Sequence, residues 1–517
     1  MYAFEWTIGL LLGAMLLAAL ARRLRVPYPT FLALGGAALA FVPSSPNWTL
    51  EPDLALALLV APVLLDAAFD TSLRDLRDNW LPVATLVVVA VALTTAVAAC
   101  VAKYFVPDMP WAAAIALGAI VAPPDAAAAT AVLRTIRLPY RILKILEGES
   151  LLNDASALLI YRVAVGAVAA SSLKTTEVAP ALAWALIGSV IVGYGMARLS
   201  MVINARNTDV PSSIIIQFAG TFTVWIVAEK LQLSGILTIV VYAVTLARCV
   251  PTYTPARMRV PSYAVWETAV FVLNVVAFVL IGLQLQPIWN GMPANMQPRN
   301  VMVAAAVLAA VIVTRIVWVM IYNTVMRLIV PDTTQVMSHR PSRARPTLKG
   351  GILVSWCGMR GIVTLAAAFA LPANFPYRDL ILLTAFGVVI GTLVIQGLTL
   401  RPLVSWLALD DGDPVAHEIS RARKRAYHAA LDAIGEDQST EGKILRLEYE
   451  QMLQRTERTE HGSGLASGEL PADPLRRKAI SAARRTALEM RRSGDIGDDA
   501  FHVLEEEFDW AELSAAG

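Results

Sequence analysis

Charge is what most of this chain lacks. Only 16% of its 517 residues are Asp, Glu, Lys or Arg, against about 25% in soluble globular proteins. The deficit lies before residue 405, which excludes an ordinary soluble domain there and leaves a polytopic membrane domain followed by a polar tail. Cysteine is also scarce: Cys100, Cys249 and Cys357 lie in or beside apolar runs without metal-ligand spacing, so no disulfide framework is implied. The histidines, His339, His417, His428, His461 and His502, all fall in loops or the tail. No serine–histidine or paired-histidine arrangement therefore enters a span, which argues against intramembrane hydrolysis. A formal net charge of +2 carries no message about nucleic acid. Positive charge is missing ahead of the first apolar run, which has Glu5 before it and Arg22, Arg23 and Arg25 after it. A cleaved signal peptide has the reverse order, so this segment stays as the first helix.

What is present is apolar sequence in long runs. About twenty apolar residues cross a bilayer. Thirteen segments qualify: 5–21, 28–43, 52–71, 81–103, 111–133, 147–170, 178–203, 212–229, 234–250, 263–284, 300–329, 350–371 and 379–405. Only Glu229-Lys230 separates the eighth from the ninth. Basic residues cluster in alternate loops: Arg22/Arg23/Arg25, Arg74/Arg77, Arg134/Arg137/Arg141/Lys144, Arg206, Arg257/Arg259 and Arg340/Arg343/Arg345/Lys349. The other loops hold isolated charges such as Lys103, Lys174, Arg299 and Arg378. The positive-inside rule then puts the amino terminus outside and the carboxyl-terminal tail in the cytoplasm. After Asp410 the composition turns to mixed charge at helical spacing, a solvated helical face, which Gly462-Ser-Gly464 and Pro471-Ala-Asp-Pro474 divide into two or three short helices.

The run Glu147-Gly148-Glu149-Ser150-Leu151-Leu152-Asn153-Asp154-Ala155-Ser156 does not suit a bland membrane helix. It opens a span reaching Ala170, yet it carries two glutamates, an asparagine and an aspartate. Residues four apart share a helix face, so Ser150 lies one turn from Asp154 and Glu149 one turn from Asn153. Tyr161 continues the Ser150–Asp154 stripe. A charge at the bilayer centre costs at least about 2.5–3.5 kcal/mol, so such residues face a cavity or a partner and mark an ion path. Glu147 suits a helix start in the headgroup region, complementing the dipole. Asp154, further into the span, does not. Arg315 lies mid-span in the eleventh segment and Asp66 in the third, with Asp70 nearer the cytoplasmic end.

Two spans are interrupted. The fifth contains Val121-Ala122-Pro123-Pro124-Asp125, where prolines remove backbone donors beside an aspartate. The twelfth contains Gly350-Gly351 and then Gly358-Met359-Arg360-Gly361. Paired broken helices in corresponding positions of two halves point to a transporter binding site. Helices four to six and eleven to thirteen are then the inverted repeats, each with its broken helix central.

Gly148-Glu149-Ser150-Leu151-Leu152-Asn153-Asp154 resembles the GESLLND signature of monovalent cation:proton antiporters, the NhaP-type and sodium/proton exchangers. Ala61-Pro62-Val63-Leu64-Leu65-Asp66-Ala67-Ala68 is similar to the family's PPLLFEA run, with aspartate for glutamate. Pro124-Asp125-Ala126-Ala127 resembles its TDPVA run, and Gly358-Met359-Arg360-Gly361-Ile362-Val363 its GLRGAVSLA run. The resemblance covers residues 5–405 and implies an all-α fold of about thirteen transmembrane helices with two broken crossing helices. It makes 1–409 the antiporter domain and 410–517 a helical tail. It also implies that Arg315 pairs with Glu149 and holds the sixth helix. Asp125 and Arg360 would neutralise facing half-helix ends. No cofactor is implied, and a homodimer in the cell membrane is.

The implied chemistry is exchange at Asp154. Desolvation penalises a charged carboxylate, so such a group holds a proton or a small hard cation, not both. Ser150, a carbonyl at Pro124, Asp66 through water, and Asp154 would give sodium an all-oxygen shell. The threonine of TDPVA is absent, so position 124 offers only its backbone oxygen. Asn153 is neutral, and in this family an asparagine there goes with electroneutral one-for-one exchange. Potassium or lithium remains open as the cation. A membrane sensor with the tail as output is the rival from another class; a channel gives no reason for two broken helices.

Overall fold

The computed structural model describes residues 2–24, 26–42, 54, 56–125, 138–169, 175–206, 209–293, 295–329, 346–409, 414–435, 439–461, 473–493 and 498–515. Arg25, Arg134, Arg137, Ala126-Ala127, His339, the Arg340–Arg345 cluster, Asp410 and the Gly462–Pro471 breaks lie outside them. Among the described residues the fold is all-α. Residues Met1–Asp410 and Asp411–Gly517 form two compact units.

In the first unit every apolar run holds a helix or a pair of half-helices. In chain order these are α1 (Tyr2–Leu24), α2 (Tyr28–Ala40), α3 (Leu56–Phe69), α4 (Trp80–Phe105), α5 (Trp111–Val121), α6 (Tyr140–Ala169) and α7 (Thr175–Ala205). They continue as α8 (Val210–Lys230), α9 (Gly235–Tyr253), α10 (Ala256–Leu283), α11 (Gln297–Ile329), α12a (Leu348–Trp356), α12b (Ile362–Phe369) and α13 (Arg378–Leu407). The starts follow from local chemistry. Ser234 accepts from the Leu237 N–H at 3.3 Å, Thr347 from Gly350 at 3.0 Å, and Asp209 from Ser212 at 3.0 Å, each satisfying a donor of the first turn. The two Ser212 hydrogen bonds also hold the Asp209 carboxyl below the usual carboxylate range.

One boundary differs usefully from the sequence reading. The sixth span begins at Tyr140 rather than Glu147, so Glu147 and Glu149 sit inside the helix and not at its start. Tyr140, Ile142, Leu143, Ile145 and Leu146 supply apolar positions for two earlier turns, and polar anchors hold that end. The Tyr140 hydroxyl donates to Asp75 Oδ2 at 2.6 Å, and Arg141 Nε donates to Asn79 Oδ1 at 3.3 Å. Glu147 therefore needs a side-chain partner instead of a helix dipole. Lys144 Nζ provides it at 2.7 Å.

Two bundles share the unit. α4, α5 and α6 pack on one another, and α11, α12a and α13 pack together and onto α4. α3, α7, α8, α9 and α10 form the second group, with α1 and α2 on α10. Small residues bring backbones into contact, since lipid offers no hydrophobic drive between helices. A methyl group at Gly282 of α10 would overlap the Ala33 carbonyl of α2, and one at Gly118 of α5 the Thr95 carbonyl of α4.

Among its described residues the second unit has four helices where the sequence suggested two or three: α14 (Pro414–Ile434), α15 (Thr440–His461), α16 (Asp473–Ser493) and α17 (Asp498–Ala515). The missed break after α14 is made by Gly435, whose φ of +59° is the left-handed conformation that ends a helix. α14 packs on α15 and α16 on α17. Arg484 bridges the second pair, reaching Asp509 and Glu512 at 2.7 Å each.

Candidate cation site

The helix breaks place backbone polar groups in the middle of the first bundle. α5 ends at Val121 and the chain turns through Ala122–Asp125; α12a ends at Trp356 and the chain is non-helical through Cys357–Gly361 before α12b. The two breaks are bonded to each other. The Asp125 N–H donates to the Met359 carbonyl at 2.6 Å. Arg360, fully buried, donates from Nε to Val121 O at 3.1 Å, from Nη2 to Ala122 O at 3.3 Å, and from Nη1 to Gly358 O. Its own N–H goes to Thr392 Oγ1 of α13 at 3.0 Å.

The charges thus complement the half-helices. Arg360 lies on the carbonyl end of α5, where the dipole is negative. The Asp125 carboxylate lies against Gly361 at the amino end of α12b, where it is positive. A methyl group at Gly361 would overlap that carboxylate, so only glycine fits the approach.

α6 lays its polar run along this crossing. Asn153, fully buried, donates from Nδ2 to the Pro124 carbonyl at 2.7 Å, while its Oδ1 is buried with no protein donor among the described residues. Its neighbour Asp154 is 7% exposed. Among the described residues Asp154 has no cationic partner. Glu149, one turn back, is bound on both oxygens: Arg315 Nη1 donates to Oε1 at 2.5 Å and Nη2 to Oε2 at 2.8 Å. Arg315 also donates to the carbonyls of Val354 and Cys357 at 3.1 and 3.3 Å, tying α6 and α11 to the broken α12.

Ser150 is half-buried on α6, one turn before Asp154. Asp66 lines a different space, a cavity of about 640 Å³ walled by α3, α7, α8, α9 and α10, together with Asp70, Tyr242, Cys249 and Glu267. The Pro124 carbonyl, offered as a cation ligand, is already engaged by Asn153.

Sequence reasoning missed a further pair on α6. Arg162 Nη2 lies 2.8 Å from Glu229 Oε1, and Nη1 donates to Leu233 O at 2.9 Å. The signal was there, a charged residue inside a counted span, and it was the same signal that drew attention to Arg315.

The comparisons agree with this architecture. A family model described as "Sodium/hydrogen exchanger, transmembrane" matches residues 10–406. An uncharacterized Na+/H+ exchanger of Mycobacterium tuberculosis is 30% identical over 83% of this chain and 79% of its own length. A sodium, potassium, lithium and rubidium/H+ antiporter of Bacillus subtilis is 26% identical over 94% of this chain and 74% of its own. The structure of the sodium proton antiporter MjNhaP1 from Methanocaldococcus jannaschii at pH 8 superposes with a TM-score of 0.60. It is 17% identical and covers 79% of this chain and 99% of that one, a likeness of fold.

Proposed function

The chain belongs to the sodium/hydrogen exchanger family, and from that premise we propose that it exchanges a monovalent cation, sodium first, for a proton at Asp154. One observation carries the reading. Asp154 is a buried carboxylate with no cationic partner among the described residues, while Glu149 on the same helix is fully paired. A lone buried carboxylate must recruit a positive charge from elsewhere, and a proton or a small cation meets that need.

Ser150, the Pro124 carbonyl, Asn153 Oδ1 and water complete an oxygen shell, with Asp66 acting from the neighbouring cavity. Asn153 has two tasks in this scheme: its amide holds the broken α5 in place, and its unpartnered oxygen faces the cargo. Being neutral, it leaves Asp154 as the one carrier, which supports electroneutral one-for-one exchange. The bundle of α4–α6 and α11–α13 rocks against the other helices and exposes the site to each side in turn. The amino terminus lies outside, the tail in the cytoplasm, and the working form is a homodimer. The range of cations in the name of the Bacillus subtilis relative favours potassium or lithium as a second reading of the cargo.

The test is proton flux in vesicles of purified protein on addition of sodium, potassium or lithium. Because proton and cation compete, the apparent dissociation constant for the cation should rise about tenfold per pH unit below the pKa of the site and level off above it. The maximal rate should move much less. Asp154→Asn should abolish exchange in a folded protein, and Ser150→Ala should keep exchange with weakened affinity. A membrane potential of either sign, without a pH gradient, should drive no net exchange. A pH-independent cation affinity, or robust exchange by Asp154→Asn, would sink the reading and favour the sensor.

A further inference from the structure

Helix α6 runs on past Asp154 to a second cavity, of about 450 Å³, lined by the ends of α8 and α9 opposite to those that line the Asp66 cavity. Its walls come from both bundles: Ala155, Leu158 and Arg162 of α6 on one side, Trp225 and Glu229 of α8 on the other. Ala155 follows Asp154 in sequence, so the cavity reaches the same turn of α6 as the proposed carrier. Arg162 stands about 12 Å further along the helix axis, eight residues at 1.5 Å each.

Across this seam α6 is tied to the turn between α8 and α9. Arg162 reaches the Glu229 carboxylate with one amino group and the Leu233 carbonyl with the other, at 2.8 and 2.9 Å. The turn is itself fixed to α7. Trp184 Nε1 donates to Leu231 O at 3.1 Å, and the Ser234 N–H donates to Ser189 Oγ at 3.0 Å. Gln232 within the turn has a φ of +59°, the left-handed conformation a side chain rarely takes. The receiving end of the contact thus belongs to one rigid bundle and the donor to the other. Both charged side chains are 44% exposed. In such a setting an ion pair forms and breaks at little cost.

We infer that Arg162 and Glu229 form a make-and-break latch across the bundle seam, closing access to Asp154 from the α8–α9 end. The inference rests on the two-access-state part of the proposed function and on nothing about which cation is carried. Opening that end by bundle rotation must part Arg162 from Glu229 and Leu233. Neutralising either charge shifts the population toward the state open at that end.

The test reads accessibility and needs no transport. In a full-length chain carrying Cys100→Ser and Cys357→Ala, Cys249 reports on the Asp66 cavity. Leu158→Cys, with Cys249→Ala added, reports on the cavity beneath the latch. An impermeant maleimide is applied separately to each face of sealed membranes. Arg162→Gln and Glu229→Gln should each speed labelling of the Leu158→Cys reporter from the α8–α9 face by about two- to fivefold, the shift an exposed pair supports. Each should slow labelling of Cys249 from the opposite face. The exchanged pair, Arg162→Glu with Glu229→Arg, should restore the slow rate at the Leu158→Cys reporter. Unchanged labelling in both single variants, or an exchanged pair that labels as fast as they do, overturns the latch. A single variant lost to misfolding is replaced by its partner, which breaks the same contact. If Cys249 reacts from outside intact cells, the orientation proposed above fails while the latch is still read on the other face. If labelling shifts but no cation drives proton flux, the exchange reading fails and the latch stands.

Discussion

Among the described residues α6 makes two ion pairs with other helices, and they have little in common beyond their charges. Glu149–Arg315 is sealed: both side chains are at most 3% exposed, the contact is bidentate, and the spare donors of Arg315 end on carbonyls of the broken α12. Arg162–Glu229 stands at a helix end with both side chains 44% exposed. The first joins helices that belong to one bundle; the second joins α6 to the other bundle. Desolvation separates their uses. A sealed pair cannot part without leaving a naked charge, so it serves as scaffold. An exposed pair parts into solvent, so it is free to act as a contact that comes and goes.

The largest expected effect is on the sealed pair. Removing one partner of a buried pair costs about 3–5 kcal/mol, because the other charge is stranded. Arg315→Ala and Glu149→Gln should each lower the thermal stability and folded yield of the purified protein by an amount of that order. The double variant Glu149→Gln/Arg315→Gln, which strands nothing, should lose clearly less than the sum. Strict additivity in the melting measurements would break the comparison at its stronger end.

The Glu149–Arg315 pairing was implied by the family resemblance, whereas Arg162–Glu229 falls in no motif, although Arg162 too is a charge inside an apolar span. A charge in the middle of a long apolar run has no reach to water on either side, and Arg315 is such a residue. Arg162 lies in the last third of its span, where a long side chain reaches the interface, and its partner Glu229 stands at the boundary between two spans. The number and order of the spans, the two breaks and the polar run of α6 all came from hydropathy, proline, glycine and intramembrane charge. The early start of α6 did not, because Arg141 and Lys144 look like loop charges until their partners, Asn79 and Glu147, are known. The way Arg360 and Asp125 are shared out between half-helix ends follows from the crossing itself, a tertiary fact.

Arg360 sharpens the comparison as an intermediate case. It is as buried as Arg315, yet its guanidinium donates to the carbonyls of Val121, Ala122 and Gly358 and to no carboxylate among the described residues. Removing it leaves unpaired carbonyls rather than a stranded anion. An unsatisfied buried polar group costs about 1–3 kcal/mol. Arg360→Met should therefore destabilise less than Arg315→Ala, and Arg360→Lys less again, by the same melting measurement. If Arg360→Met is the more damaging of the two, the carbonyl ends of α5 matter more than the stranded charge, and burial alone does not rank these sites.

The smallest effect belongs to the exposed pair, and salt is the way to expose it. Surface ion pairs contribute about 0–1 kcal/mol, since both partners are well solvated when apart. Arg162→Gln and Glu229→Gln should thus shift the melting temperature only slightly, even though each is expected to alter accessibility beneath the latch. Whatever contribution the pair makes is open to screening: the Debye length falls from about 30 Å at 0.01 M salt to about 3 Å at 1 M. The difference between wild type and Arg162→Gln should shrink across that range, measured in the chloride of a bulky organic cation so that no cargo binds Asp154. The difference between wild type and Arg315→Ala should hold, because ions do not enter the sealed site. A salt-insensitive loss for Arg162→Gln as large as that for Arg315→Ala would make the two pairs one kind of contact, and the seam would then be a fixed joint rather than one that opens.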